Sequence, residues 1–115
     1  MARGIMIVES GPVSPEREDE YNAWYTETHI PELCAIPGFV GARRYKLRRR
    51  GGVDAESELP VYLAVYELEA DDLAEPQAEL ARRRADGRAG KVSDALRTDP
   101  PPVVSLYELV GGPDE

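Results

Sequence analysis

The residues with usable chemistry gather in one stretch, Tyr21-Asn22-Ala23-Trp24-Tyr25-Thr26-Glu27-Thr28-His29-Ile30-Pro31-Glu32-Leu33, with Cys34 directly after it. It holds the only histidine, the only tryptophan and two of the six tyrosines. An imidazole titrates near neutrality when unperturbed, so His29 is the candidate general acid or base. Asn22 lies two helical turns before His29 and Tyr25 one turn before it, so in a regular helix the three share a side. Such a side can bind a carbonyl or enolate and move a proton. The competing expectation is that His29 only caps the helix end or packs in the core. Tyr21, Trp24 and Thr28 fit an aromatic stripe holding a helix on its neighbours, and Cys34 fits an inert small hydrophobe.

The elements that position these groups follow in order. Residues 3–9 read as a strand, short, β-branched and bounded by glycines. Ser14-Pro15-Glu16 reads as a helix start, with acids in the first turn. Pro31 should end or kink that helix near His29. Residues 39–48 alternate: Phe39, Gly41, Arg43, Tyr45 and Leu47 share one expected face, and Val40, Ala42, Arg44, Lys46 and Arg48 the other. Residues 49–59 read as a polar loop and residues 60–69 as a third strand. Asp72 with Glu75 is a capping-box candidate for a second helix, with Leu73, Gln77, Leu80, Ala81 and Arg84 as its inner stripe. Residues 91–96 read as one more helical turn, and residues 103–110 as a fourth strand.

The order is βαββαβ, an α+β ferredoxin-like fold with a four-stranded antiparallel sheet. A single domain over 1–110 with a tail at 111–115 is expected. Helices cover one sheet face. The other carries apolar and aromatic area that a second copy would bury, which predicts a homodimer through the sheet face.

Composition narrows the function classes. The chain has 115 residues and a net charge of −8. That balance speaks against general nucleic-acid binding, which needs an excess of Lys and Arg. No apolar run approaches the roughly 20 residues that span a bilayer, so no membrane role is expected. One cysteine and no signal-peptide layout fit a reducing cytoplasm. One His and one Cys supply no zinc pattern, so no metal is expected. Arg43, Arg44, Lys46 and Arg48 to Arg50 form a basic run. Its expected role is a solvated edge or ion pairing across the sheet with Glu9, Glu67 and Glu108, although Arg43 or Arg44 can hold a carboxylate bidentately.

The pattern Tyr21-Asn22-Ala23-Trp24-Tyr25…His29-Ile30-Pro31-Glu32-Leu33, then Ile36-Pro37-Gly38-Phe39 and Arg43-Arg44-Tyr45, resembles the dimeric α+β barrel superfamily. The branch it is most similar to is the EthD-like proteins, named for ethyl tert-butyl ether degradation. The resemblance implies a superfamily of cofactor-free monooxygenases, polyketide cyclases, decarboxylases, muconolactone isomerases and haem-handling enzymes. It also implies a pocket between helices and sheet, onto which His29 and Asn22 map by position. This chain has one histidine where some members use several.

The resulting expectation is a cofactor-independent enzyme acting on an apolar cyclic or aromatic small molecule. The step is proton transfer next to a carbonyl, as in a cyclase, dehydratase, decarboxylase or isomerase. His29, Tyr25 and Asn22 are the catalytic candidates. Trp24, Glu32, Arg43, Arg44, Tyr45 and Tyr66 are the substrate-binding candidates. The alternatives are a haem-binding protein or cofactor-free monooxygenase, and a non-catalytic ligand-binding dimer.

Overall fold

The computed structural model describes residues 1–55 and 59–113. The acids Glu56 and Glu58 of the expected loop, and the end of the expected tail, lie outside the described residues. Four strands form one antiparallel sheet: β1 (Ala2–Ser10), β2 (Phe39–Lys46), β5 (Tyr62–Ala70) and β6 (Val103–Glu108). Their spatial order is β2-β5-β1-β6, the arrangement of a ferredoxin-like βαββαβ chain.

The register decides which residues meet the helices. Met6, Val8 and Ser10 of β1 pair with Tyr66, Ala64 and Tyr62 of β5. Leu106 and Val104 of β6 continue the row beside Met6 and Val8. These side chains share the covered face, because residues directly opposite in a ladder point the same way. Tyr66, Leu68 and Met6 are almost wholly buried there.

One strand departs from simple alternation. A register shift between Phe39 and Gly41 places Phe39 opposite Leu68 and Ala42 opposite Tyr66. Phe39 therefore shares the covered face with Ala42, Arg44 and Lys46, not with Arg43 and Tyr45 as alternation predicts. The extra residue of a bulge inverts the sidedness before it. The gain is burial of the Phe39 ring, 5.6 Å from Tyr66, worth about 2 kcal/mol for an aromatic of this size.

The first helix does not end at His29. A short 3-10 turn at Pro15–Arg17 leads into α1 (Glu18–Trp24), a π-turn follows over Tyr25–His29, and α2 (Ile30–Cys34) continues. Ser14 makes no side-chain cap. Proline lacks an N–H and its ring collides with the carbonyl four residues back. The π-turn relieves this without a break: the Ile30 N–H reaches back to the Tyr25 carbonyl. The widened turn also rotates later residues, and Thr28, expected inside, is exposed.

The second long helix is α3 (Ala74–Ala85). Asp72 Oδ1 accepts the Ala74 N–H at 3.0 Å. Glu75 does not close a capping box, because its carboxylate pairs with Arg82. At Gly38, φ is +99°, and an added Cβ would lie 2.5 Å from Pro76 Cγ. Glycine there permits both the turn into β2 and the close approach of α3.

Two connections differ from expectation. Residues 49–54 form a two-stranded hairpin, β3 (Arg49–Arg50) and β4 (Val53–Asp54), not an open loop. Gly51 and Gly52 both take positive φ, which a two-residue hairpin turn of this kind demands. Residues 91–96 carry no helix; Leu96 bridges to Pro12 instead. No helix among the described residues is long and apolar enough to cross a membrane.

Candidate functional site

The helices part over β1 and β6 and leave a cavity of about 510 Å³ between helices and sheet. Its floor is Met6, Val8, Ser10 and Val104. Trp24, Tyr25, His29 and Leu33 form one wall. Gln77, Leu80, Ala81 and Arg84 of α3 form the opposite wall, and Val92, Leu96 and Pro102 of the connector close the side. The volume suits a ligand of one to a few rings. A smaller cavity of about 210 Å³ adjoins it and shares His29, Leu33, Leu80 and Arg84 with it.

The π-turn sets the position of His29. Residues five apart in a regular α-helix point about 140° away from each other. In the widened turn they align, and the His29 ring stacks on Trp24 with centroids 4.7 Å apart and planes 21° from parallel. Tyr25 meets the same imidazole edge-on at 5.0 Å. Burial among these rings removes water from the imidazole, and the Arg84 charge repels a proton. Together they lower the His29 pKa to about 4. His29 is therefore neutral at pH 7, with a free lone pair, and it makes no hydrogen bond among the described residues.

Tyr25 is buried, and its hydroxyl lies 3.5 Å from that of Tyr66. Burial pushes both phenols up, so both remain protonated donors. Ser10 Oγ and the Tyr21 hydroxyl lie 2.7 Å apart. The Trp24 indole N–H is buried without an acceptor among the described residues.

The same rotation separates Asn22 from His29. Asn22 donates to the Tyr62 hydroxyl at 3.0 Å, and that hydroxyl donates to Glu18 at 2.5 Å. Lys46 completes the group at 3.2 Å from the same carboxylate. The Tyr62 hydrogen bond, then Lys46, holds Glu18 below the usual carboxylate range. This network stands over the β2 and β5 half of the sheet, away from the cavity.

The substrate-binding candidates disperse. Trp24 lines the larger cavity and Glu32 the smaller one, where Glu32 accepts the Gly90 N–H. Tyr66 is 0% exposed and serves as core beneath Tyr25. Arg43 and Tyr45 lie on the open face of the sheet, opposite Val65 and Leu63. Arg44 lies on the covered face, with its guanidinium carbon 4.6, 4.9 and 5.2 Å from the ring centres of Tyr25, Tyr62 and Tyr21. Its Nη1 donates to Thr26 Oγ1 at 3.1 Å, while Nε and Nη2 have no partner among the described residues. Cys34 is half-buried, and burial pushes its thiol up. No cluster of three or more His, Cys, Asp or Glu suited to a metal ion occurs among the described residues.

The cavity also contains polar residues that were not site candidates from sequence: Ser10, Gln77 and Arg84. Spacing alone marks Gln77 and Arg84 as the inner stripe of α3. What makes Arg84 a site residue is that no acid among the described residues pairs with it, which only the fold reveals.

No family model and no curated protein sequence matches the chain. Among solved structures, the chain is similar to an ethyl tert-butyl ether degradation (EthD) family protein from Bacillus halodurans C-125. That likeness has a TM-score of 0.52 at 14% identity and covers 93% of this chain and 99% of the other. A monooxygenase of Streptomyces coelicolor in complex with nanaomycin D matches with a TM-score of 0.46 at 16% identity, over 95% of this chain and 89% of the other. The first likeness shows a shared fold with the EthD-family protein, in agreement with the resemblance carried by residues 21–45.

Proposed function

We propose that the chain is a cofactor-independent enzyme that moves a proton next to a carbonyl of an apolar cyclic or aromatic substrate. The observation that carries this is a neutral imidazole, His29, in the wall of a largely apolar cavity of about 510 Å³. The His29 lone pair takes the proton and the resulting imidazolium returns it to another atom of the substrate. Tyr25, Ser10 and Gln77 are the cavity-lining groups that can donate to the substrate oxygen. Asn22 is assigned to the Glu18–Tyr62 network and a structural role. Cofactor-free oxygenation would call on the same first step, deprotonation of an aromatic substrate at His29.

A non-catalytic ligand carrier is the second reading. It is favoured by one observation: among the described residues no group orients the His29 ring through a hydrogen bond, an arrangement that general bases commonly have. Compounds that raise the melting temperature separate the two when followed over time. The enzyme reading expects wild-type protein to consume the compound, and His29→Gln to bind it without consuming it. Equal consumption by both proteins removes His29 from the chemistry; no consumption by either leaves a carrier.

Pairing of two copies through the open sheet face belongs to the same proposal. Ile5, Ile7, Leu63 and Val65 lie on that face, with Tyr45 51%, Tyr107 54% and Val103 58% exposed. Light scattering should give a dimer for the wild type and a monomer for Val65→Arg. A wild-type monomer at micromolar concentration contradicts the pairing.

A further inference from the structure

The chain carries 22 acidic residues and a net charge of −8. Yet no Asp or Glu among the described residues lines the larger cavity, and its single formally charged lining residue is Arg84. The neighbouring cations on the rim are already neutralised. Arg83 pairs with Glu79 at 2.8 Å, and Arg88 with Asp86 at 2.7 Å. Glu32, in the adjoining cavity that Arg84 also lines, accepts the Gly90 N–H through Oε2, while its Oε1 has no partner among the described residues and makes no ion pair with Arg84. Arg84 has no hydrogen bond and no ion pair among the described residues. A planar guanidinium without an acid, at the edge of an apolar cavity, matches an incoming carboxylate in charge and in fork geometry.

We propose that this cavity selects an organic carboxylate with an apolar cyclic body, and that Arg84 is its anion-binding residue. The ring system lies on Met6, Val8 and Leu80, and the carboxylate turns to α3. This rests on the cavity being the ligand site, and it adds the charge of the ligand to that reading. It also links binding to chemistry: a carboxylate on Arg84 offsets the charge that repels a proton from His29, so the bound anion makes the imidazole a stronger base. Specificity then comes from a charge pair at the cavity edge that a neutral analogue leaves half-made.

Trp24 is the only tryptophan and lines the cavity, so its fluorescence reports occupancy. The test titrates 1-adamantanecarboxylate and the near-isosteric neutral 1-adamantanecarboxamide, both transparent where tryptophan absorbs, at pH 7 and low salt. Wild type is expected to bind the acid about tenfold more tightly than the amide, as a charge-assisted pair predicts. Arg84→Gln should abolish that preference and leave amide binding within about twofold, and Arg84→Lys should keep part of it. Arg84 is exposed, so neither change threatens the fold. Equal affinity for acid and amide in wild type, a preference that survives Arg84→Gln, or binding of neither compound overturns the proposal. His29→Gln should keep the preference. Turnover that survives His29→Gln therefore overturns the catalytic reading alone, and equal affinity of the wild type for acid and amide overturns the carboxylate site alone.

Discussion

The imidazole of His29 stacks on the indole of Trp24, five residues earlier in the same helix, with centroids 4.7 Å apart. A regular α-helix forbids that contact, and the π-turn over Tyr25–His29 creates it. The turn precedes Pro31, so the residue that disturbs the helix also aims its histidine. One local accommodation places His29 in the cavity wall and turns Asn22 out of it.

The first prediction concerns protonation. His29 should titrate near 4 in the native protein, well below the usual imidazole value. Trp24 and Tyr25 touch it within the same wall, Arg84 faces it from the opposite wall of the larger cavity, and Glu32, Arg83 and Arg88 line the smaller one with it. Between pH 6.5 and 4 the unfolded chain binds the proton and the folded chain does not. Stability from this group is complete above 6.5 and falls as pH drops to 4, by up to about 3 kcal/mol. Histidine NMR gives the pKa directly. Denaturant midpoints at pH 7 and 4.5 should separate for wild type by more than for His29→Gln. The paired acids Glu79 and Asp94 lose their own contribution at lower pH in both proteins, so the difference isolates His29.

The second prediction separates the Asn22 network from the site. Tyr62→Phe removes the hydroxyl that joins Asn22 to Glu18. It should cost about 1 kcal/mol of stability, the scale of one part-buried hydrogen bond. Binding of the adamantane acid should stay within twofold of wild type, roughly the scatter of a titration. A large loss of binding with intact stability would place Asn22 and Tyr62 back in the site.

The third prediction concerns Arg44, whose guanidinium fills the space between three tyrosine rings. Arg44→Ala removes the packing and the cation together and should cost about 2 to 3 kcal/mol. Arg44→Met restores volume without charge, and it leaves no unpaired buried donors, so it should recover much of the loss. Thermal denaturation of the two variants decides. Equal destabilisation by both would mean the charge, and not the volume, stabilises the site.

How far the chain could be read before folding depends on what each feature needs. The order of elements was legible because strands and helices bury their faces with different periods, as in the alternation from Val61 to Tyr66. The sidedness of Phe39 was not, because a bulge is a choice among hydrogen-bond registers that apolar alternation does not record. The separation of Asn22 from His29 was hidden for a similar reason: spacing assumes 3.6 residues per turn, and Pro31 changes that number locally. Arg84 was legible as an inward position and not as a ligand group, since an absent counterion depends on every acid that could have reached it. Arg43 and Arg44 drew attention through composition, and the fold sends one to the open face and the other under a helix.

Proton transfer by His29 inside the cavity can be followed at the substrate itself. The direct measurement is deuterium uptake, in D2O, at the carbon next to the carbonyl of 2-tetralone-6-carboxylate, a two-ring ketone acid. Wild type should accelerate exchange over buffer by about a hundredfold or more, the range of a placed general base. Folded His29→Gln should fall back to the buffer rate while still binding the compound. Exchange at the same rate in wild type and His29→Gln would mean that His29 does not move the proton.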